Sequence, residues 1–193
     1  MKRLDLVIGP NGAGKSTFIA LTLAPRRSDA VFVNADVIAK QRWPGHEARY
    51  SYDAAQIADR TRRELLAAGR SFIAETVASH PSKLDLAVQA RKLGYTVVLH
   101  VVMVPVELSV ARVTRRVRAG GHDVPEDKIR HRHDRVWPIA RQAIEVSNHA
   151  YVYDNSRASG PQVVAVFTDG DPVGVVAWPQ WTPAVLVDRW PRE

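Results

Sequence analysis

The chain has 193 residues, of which 46% are hydrophobic, and its formal net charge is +7 at pH 7. This length is enough to bury one sizeable core and is short for two, so we expect a single domain over residues 1–193. The sequence contains no cysteine, which excludes a disulfide framework, thiol redox chemistry and thiolate metal sites.

No targeting or membrane segment is predicted. The opening stretch MKRLDLVIG has too few apolar residues before its glycine to form a signal peptide. The longest apolar run, from Tyr95 to Val106, is about half the length needed to span a bilayer. We therefore expect a soluble, cytoplasmic protein that does not bind membranes.

Strand-like apolar runs alternate with stretches of helical spacing along most of the chain. The pattern predicts strands over Leu4–Ile8, Ala30–Val33, 71–75, Thr96–Val104 and 150–154. Helices are predicted from the glycine-rich loop after the first strand to about Leu23, from near Asp36, over Tyr52–Ala68, over Ser82–Leu93, from Pro105 to about Arg118, and from about Glu126 to His149. Gly69 and Gly94 are predicted to close the helices that precede them, and Pro138 is predicted to kink the last helix. Strands joined by crossover helices predict the α/β class: a mostly parallel sheet covered by helices on both faces, with ligands bound beyond the carboxyl ends of the strands.

Two further strand-like stretches lie near the end of the chain, VVAVF at 163–167 and VGVVAW at 173–178. The sequence TDGDP between them is typical of a turn. A C-terminal β-hairpin is therefore predicted over about residues 160–190.

The stretch GPNGAGKS, from Gly9 to Ser16, matches the P-loop pattern G-x-x-x-x-G-K-[ST] between a predicted strand and a predicted helix. In such a loop the backbone N–H groups hold phosphates, the lysine reaches the β and γ oxygens, and the final hydroxyl binds Mg²⁺. We therefore predict an ATP site formed by Gly9, Asn11, Gly12, Ala13, Gly14, Lys15, Ser16 and Thr17, with Ser16 as the magnesium ligand. The chain lacks the signature loop and the Asp-Glu strand of transporter ATPases and the N-K-x-D guanine motif, so neither of those classes is expected.

Two acidic residues follow predicted strands, at the edge of the sheet where the phosphates should lie. Asp36 comes after the second strand, and a carboxylate there can accept the proton of an attacking hydroxyl or bind the substrate. It could instead cap the helix that begins there. Glu75 ends the third strand and could bind a substrate hydroxyl, hold magnesium through water, or be a structural polar end.

The segment between Arg112 and Arg141 contains eight arginines. Such a cluster is a solvated surface, a nucleic-acid footprint, or a clamp over an anionic small molecule. Its two helices flank the stretch AGGHDVP, in which Gly120 and Gly121 could act as a hinge. We therefore predict a helical lid over about residues 112–141, in which His122 serves either loop packing or a phosphate contact.

These motifs together resemble the zeta toxin family of P-loop small-molecule kinases. The resemblance rests on the glycine loop, the aspartate twenty-one residues after Lys15, the stretch FIAET, the run ARVTRRVRAGGHDVPEDKIRHRHDR and the later YDNS, and it extends from about Arg3 to Arg157. It implies a P-loop kinase fold and ATP-dependent phosphorylation of a sugar hydroxyl, with UDP-N-acetylglucosamine as the family's acceptor. It also leaves open whether an antitoxin protein binds the chain.

The resemblance also assigns roles to individual residues. It implies that Lys15 and Ser16 bind phosphate and magnesium and that Asp36 is the general base. Glu75 and Thr76 would contact the acceptor, and Arg116 and Arg132 would flank the transferred phosphoryl group, with Arg135 a weaker candidate for the same clamp. The sequence departs from the family at Val77, where an acceptor-binding threonine is expected, so the acceptor stays open.

Three hypotheses about function follow. The favoured one is a kinase that phosphorylates a small molecule. The alternatives are a polynucleotide or nucleoside kinase that uses the basic segment, and a scaffold that binds ATP without transferring phosphate. A candidate base together with lid arginines argues against the scaffold.

Two other sequence features are not assigned to the active site. His100 lies among apolar strand residues and is predicted to be a core histidine. The stretch HRHD at 131–134 is not expected to bind zinc.

Overall fold

The computed structural model describes residues 1–118 and 124–192. Within them the strands are β1 (Arg3–Ile8), β2 (Val31–Val33), β3 (Phe72–Thr76), β4 (Thr96–Met103), β5 (His149–Asp154), β6 (Gln162–Thr168) and β7 (Asp171–Pro172). The α-helices are α1 (Lys15–Phe18), α2 (Ala35–Arg42), α3 (Ser51–Ala67), α4 (Asp85–Lys92), α5 (Val106–Arg118), α6 (Glu126–Val146) and α7 (Ala184–Val187). A π-helical stretch, Ile19–Leu23, continues α1, and short 3₁₀ turns cover Ala24–Arg26 and Pro81–Lys83.

All of these strands form one sheet in the order β2-β3-β1-β4-β5-β6-β7. β1 lies between β3 and β4. The neighbouring strands in the order β2-β3-β1-β4-β5 are all parallel, whereas β6 is antiparallel to β5 and β7 is antiparallel to β6. The predicted mostly parallel α/β sheet is therefore confirmed. The carboxyl ends of β1, β2 and β3 lie side by side at one edge, which is where the predicted site residues begin.

Apolar side chains cover both faces of the sheet. Along β1, Leu4, Leu6 and Ile8 belong to the larger core, which includes residues of α3, α4 and α6. Val7 points to the other face and joins a smaller core with Phe18 and the stretch that follows it. This alternation follows from the two-residue period of a strand. No helix among residues 1–118 and 124–192 combines the length and apolar character that crossing a membrane requires.

The structure corrects two predicted boundaries. α6 ends at Val146 instead of His149 because Asn148 already pairs with β4: its side chain accepts a hydrogen bond from the Val97 backbone N at 2.9 Å. The C-terminal hairpin is present, but its second strand is only Asp171–Pro172, and the predicted strand 173–178 is irregular. Gly174 has a φ of +75°, which interrupts the extended backbone, and Val176 and Trp178 then pack individually into the core.

Asp5 is a fully buried carboxylate in the middle of β1, the strand that leads into the glycine loop. Its oxygens accept hydrogen bonds from Arg3 at 3.0 Å, from Arg27 at 2.7 Å and from His100 Nε2 at 3.1 Å. The prediction that His100 is a core histidine is confirmed. Burial acts to raise the pKa of Asp5, but the hydrogen bonds and charges of His100 and Arg3 outweigh it and hold that pKa below its usual value.

We predict that Asp5→Asn lowers the free energy of unfolding by about 3 kcal/mol at neutral pH, because breaking one side of a buried ion pair leaves the other side uncompensated. Because the pKa of Asp5 is lowered in the folded protein, its contribution is present above the unfolded-state pKa and is lost as the pH falls through the folded-state pKa. The difference between variant and parent should therefore shrink in acid. Urea denaturation at a series of pH values measures it.

Asp29→Asn is the matched control, since Asp29 also pairs with Arg27 but its side chain is 66% exposed. This variant should unfold at nearly the same urea concentration as the parent. Equal losses for the two variants would contradict a special role for the buried carboxylate.

Candidate functional site

The glycine-rich loop runs from the end of β1 to the first residue of α1 and lies against α5. Gly12 has a φ of +74°, and a Cβ placed on it would lie 2.7 Å from the carbonyl oxygen of Ser109. Gly14, immediately before α1, has a φ of +87°. A Cβ on Gly14 would lie 2.6 Å from Asn155 Nδ2. The loop therefore requires glycine at both positions, for its backbone conformation and for space.

Side chains from distant parts of the chain hold this loop in place. Asn155 Nδ2 donates a hydrogen bond to the Ala13 carbonyl at 2.7 Å, and the Ser109 hydroxyl donates one to the Asn11 carbonyl. Arg112 donates to the Asn155 carbonyl at 3.0 Å and to the Gly12 carbonyl at 3.4 Å. Because these groups donate hydrogen bonds to loop carbonyls, they help to fix the course of the loop backbone.

Lys15 is almost completely enclosed, with 7% of its side chain exposed. Its Nζ donates to the Pro10 carbonyl at 3.0 Å and lies 4.0 Å from Glu75 Oε1. Burial lowers the pKa of Lys15, while the carboxylates of Glu75 and Asp36 act to raise it and the charge of Arg116 acts to lower it. The loop lysine is thus electrostatically coupled to three of the other predicted site residues.

Glu75, at the carboxyl end of β3, connects the loop to the neighbouring strand. Its two carboxylate oxygens accept hydrogen bonds from the Ser16 hydroxyl at 3.1 and 3.0 Å, and Oε2 also accepts one from Asn34 Nδ2 at 2.7 Å. In this structure the carboxylate therefore lies beside the predicted magnesium ligand. The option in which Glu75 holds magnesium through water stays a prediction.

The helix that carries Asp36 is capped by Asn34, a residue that the sequence analysis did not select. Asn34 Oδ1 accepts a hydrogen bond from the Val37 backbone N at 3.1 Å. Asp36 lies in the first turn of α2 and is exposed on the cleft. The alternative in which Asp36 is the helix cap is therefore wrong, and its carboxylate remains available to a substrate.

A cleft of about 730 Å³ opens over the loop. It is lined by most of the predicted site residues: Asn11, Gly12, Gly14, Lys15, Ser16, Thr17, Asp36, Glu75, Thr76, Arg116 and Arg132. Gly9 and Ala13 are not among the lining residues, since Gly9 lies against the Val102 carbonyl and Ala13 is fully buried. Val77, at the position where the sequence departs from the zeta toxins, lines the same cleft.

The arginine-rich segment divides into residues with different surroundings. Arg112, Arg116 and Arg132 line the cleft, whereas Arg135 is not among its lining residues. Arg130 pairs with Glu107 at 2.7 Å and with Glu126 at 2.8 Å, which ties α6 to α5. The predicted hinge residues Gly120 and Gly121, and His122, predicted to serve either loop packing or a phosphate contact, lie outside the described residues.

The residues beside Lys15 suit a magnesium ion. The Ser16 hydroxyl and the Glu75 carboxylate are oxygen donors, which Mg²⁺ prefers, and they lie within hydrogen-bonding distance of each other. In the described part of the chain, no group of three or more His, Cys, Asp or Glu side chains could hold a metal ion. The donor set fits an ion that takes its remaining ligands from nucleotide phosphates and water.

Comparison with solved structures places the fold among P-loop proteins. A chain of the AvrRxo1-ORF1:-ORF2 complex with ATP superposes with a TM-score of 0.70 at 18% identity over 90% of this chain, and this chain spans 60% of its length. A chain of the PezAT chromosomal toxin-antitoxin system of Streptococcus pneumoniae gives 0.65 at 15% identity, covering 86% of this chain and 72% of that one. Shikimate kinase from Acinetobacter baumannii gives 0.55 at 18% identity, with 82% and 87% covered. The predicted similarity to zeta toxins is thereby confirmed at the level of fold.

Sequence comparison identifies the family. An uncharacterized protein of Haemophilus influenzae is 30% identical over 128 residues, which make up 65% of this chain and 88% of that protein. Residues 4–139 match the family model described as an AAA domain, a range that includes β1, the glycine loop, Asp36, Glu75, Arg116 and Arg132. The chain therefore belongs to this AAA domain family of P-loop proteins.

Proposed function

We propose that this chain is a kinase that transfers the γ-phosphate of ATP to a hydroxyl group of a small molecule. The observation that carries the proposal is that an exposed carboxylate, Asp36, shares one cleft with the loop lysine and with two arginines, Arg116 and Arg132. ATP binding alone requires only the loop. A base and additional positive charge are what transfer to a second substrate requires.

The loop and its neighbours would hold the nucleotide. Backbone N–H groups of the loop and the Lys15 ammonium would bind the β- and γ-phosphates, and Ser16 with Glu75 would hold Mg²⁺. The ion would neutralise charge that develops on the phosphate oxygens. Because Lys15 is enclosed, its charge is little screened by water and acts strongly on a bound phosphate.

Asp36 would act on the acceptor. In the transfer step the acceptor oxygen forms a bond to the γ-phosphorus, the bond from that phosphorus to the bridging oxygen of ADP breaks, and the hydroxyl proton passes to the Asp36 carboxylate. Arg116 and Arg132 would contact the equatorial oxygens of the transferred group, where negative charge accumulates. α5 and α6 bring these two arginines to the cleft from different parts of the sequence.

The chemical identity of the acceptor molecule is also part of the proposal. Similarity to zeta toxins favours a UDP-N-acetyl sugar, while Val77 replaces the threonine expected to bind it. The AvrRxo1 and PezAT structures are both assemblies of two proteins, which supports an antitoxin-like partner for this chain.

Incubation with ATP, Mg²⁺ and a panel of nucleotide sugars, nucleosides and oligonucleotides tests which class of acceptor the protein phosphorylates. Mass spectrometry should show one product that is heavier by one phosphoryl group. Salt-sensitive phosphorylation of oligonucleotides alone would favour a polynucleotide kinase instead.

We predict that Lys15→Ala abolishes transfer, because the charges of the β- and γ-phosphates lose their buried cation. Initial rates of ADP formation with a responsive acceptor provide the measurement. Lys40→Ala, on the exposed side of α2, is the control and should keep the parent rate. Substantial turnover without Lys15 would remove the assignment of the loop as the phosphate site.

Arg116→Ala and Arg132→Ala should each lower kcat far more than they weaken ATP binding, since their contacts strengthen as charge develops in the transition state. A loss of about 10³-fold is expected for an arginine in this role. Arg135→Ala is the matched control, because Arg135 is on the same helix as Arg132 but is not among the cleft residues. Losses confined to ATP affinity would show that the two arginines act only in ground-state binding.

Asp36→Asn should keep the melting temperature and ATP affinity while transfer falls by about 10²-fold or more, the usual scale of general-base catalysis. The fold should survive because Asn34, and not Asp36, caps α2. Melting temperature, ATP affinity and turnover are measured on one preparation. Near-parental turnover would contradict the role of Asp36 as base, and loss of Mg²⁺-dependent ATP binding would assign it to metal ligation instead.

A further inference from the structure

Arg62 is a buried arginine on α3 that has no ion-pair partner among residues 1–118 and 124–192. Its side chain is 7% exposed, and one Nη donates to the backbone carbonyl of Glu75 at 3.3 Å. Nε is buried and has no hydrogen-bond partner among the described residues, and none of the ion pairs found there includes Arg62. A guanidinium in this situation has lost water without gaining an anion, which is costly unless a ligand supplies one.

The surroundings of Arg62 are shaped to admit such a ligand. A second cavity of about 310 Å³ lies between α3 and α4 over β1 and β3. Arg62 and Thr76 line both this cavity and the cleft over the loop, so the two spaces adjoin at these residues. The lining of this cavity also includes the polar residues Ser82 and Gln89 and the carboxylates of Asp59 and Asp85. Arg62 therefore lies between the cleft over the loop and this second cavity.

The nearby carboxylates do not compensate Arg62. Burial lowers the pKa of Arg62, and the charge of Asp59 only partly opposes this effect. Asp59 is itself paired with Arg63, four residues further along the helix. Glu75 turns its carboxylate to Ser16 and Asn34 and offers Arg62 only its backbone carbonyl.

We infer that Arg62 binds an oxyanion of the phosphate acceptor, so that the acceptor is a small anionic alcohol carrying a carboxylate or phosphate group as well as its reacting hydroxyl. This inference rests on the proposed kinase function. Arg62 belongs to the part of the cleft formed by α3 and residues 75–79, apart from the loop that would hold ATP. An acceptor held there by its anion extends its hydroxyl toward Asp36, and the planar guanidinium suits the two oxygens of a carboxylate or phosphate.

The Nε–H group of Arg62 reports directly on this contact. Its nitrogen and proton resonances, assigned through the side-chain carbons, are followed while the protein with Mg²⁺ and a non-hydrolysable ATP analogue is titrated with acetate, methyl phosphate or acetamide. The analogue fills the loop, so that the anions meet only the remaining cleft. A saturable shift with acetate or methyl phosphate, and none with acetamide, is expected, and whichever anion binds more tightly identifies the group. An Arg62 resonance that responds to neither anion overturns the inference.

Acceptor selectivity provides the second measurement, with matched pairs such as glucuronate against glucose and glucose 1-phosphate against glucose. The anionic member should be preferred, and Arg62→Lys and Arg62→Gln should raise its KM by about tenfold or more with a smaller effect on kcat. Arg60→Gln, exposed on the same helix, should change neither value. Equal use of charged and uncharged acceptors would overturn the inference, as would unchanged KM values in the Arg62 variants.

The two measurements separate this inference from the proposed function. Absence of transfer to any hydroxyl compound would contradict the kinase, whereas the resonance titration of Arg62 would still show whether the site binds an anion. Melting temperatures of the variants check their folding. The titration uses the unaltered protein, so the test does not depend on any variant being stable.

Discussion

The carboxylate of Glu75 makes the contacts on which the rest of the site depends. It accepts hydrogen bonds from Ser16 at the start of α1 and from Asn34 at the start of α2, and it lies 4.0 Å from the Lys15 ammonium. One acidic side chain at the end of β3 therefore joins the glycine loop to the helix that carries Asp36. Without this acceptor, the buried lysine would lose its nearest negative charge.

The same contacts explain why the cleft can attract anions. The Glu75 carboxylate is engaged with Ser16, Asn34 and Lys15 and forms no ion pair with Arg62. Within the described ranges, the Arg62 guanidinium donates its hydrogen bond to the Glu75 backbone carbonyl instead. Arg116 on α5 and Arg132 on α6 also line the cleft. Positive charge from Lys15, Arg62, Arg112, Arg116 and Arg132 thus lines the same cleft as the exposed carboxylate of Asp36.

The glycine loop depends on groups that are distant in sequence. Asn155, just after β5, and Ser109 and Arg112, on α5, all donate hydrogen bonds to loop carbonyls. The parallel sheet makes this possible, since β4 and β5 end at the same edge as β1. The buried Asp5, with Arg3, Arg27 and His100, holds the middle of β1 to neighbouring segments and so supports the strand that leads into the loop.

The sequence by itself determined the α/β class, the alternation of strands and helices and the phosphate loop, because these follow from local periodicity and from spaced glycines that few other structures need. It also selected Asp36, Glu75, Arg116 and Arg132, which come from separate elements and all line the cleft. Only the tertiary structure decided that Asn34 and not Asp36 caps α2, that Glu75 contacts Ser16, that Arg135 is not among the cleft residues, and that Arg62 is buried without a paired anion. The positions of Glu75, Arg135 and Arg62 depend on which side chains the fold brings together from distant parts of the chain, and local sequence patterns carry no information about such distances. The cap is a local contact between Asn34 and Val37, and it is set by where the helix begins, at Ala35 rather than near Asp36.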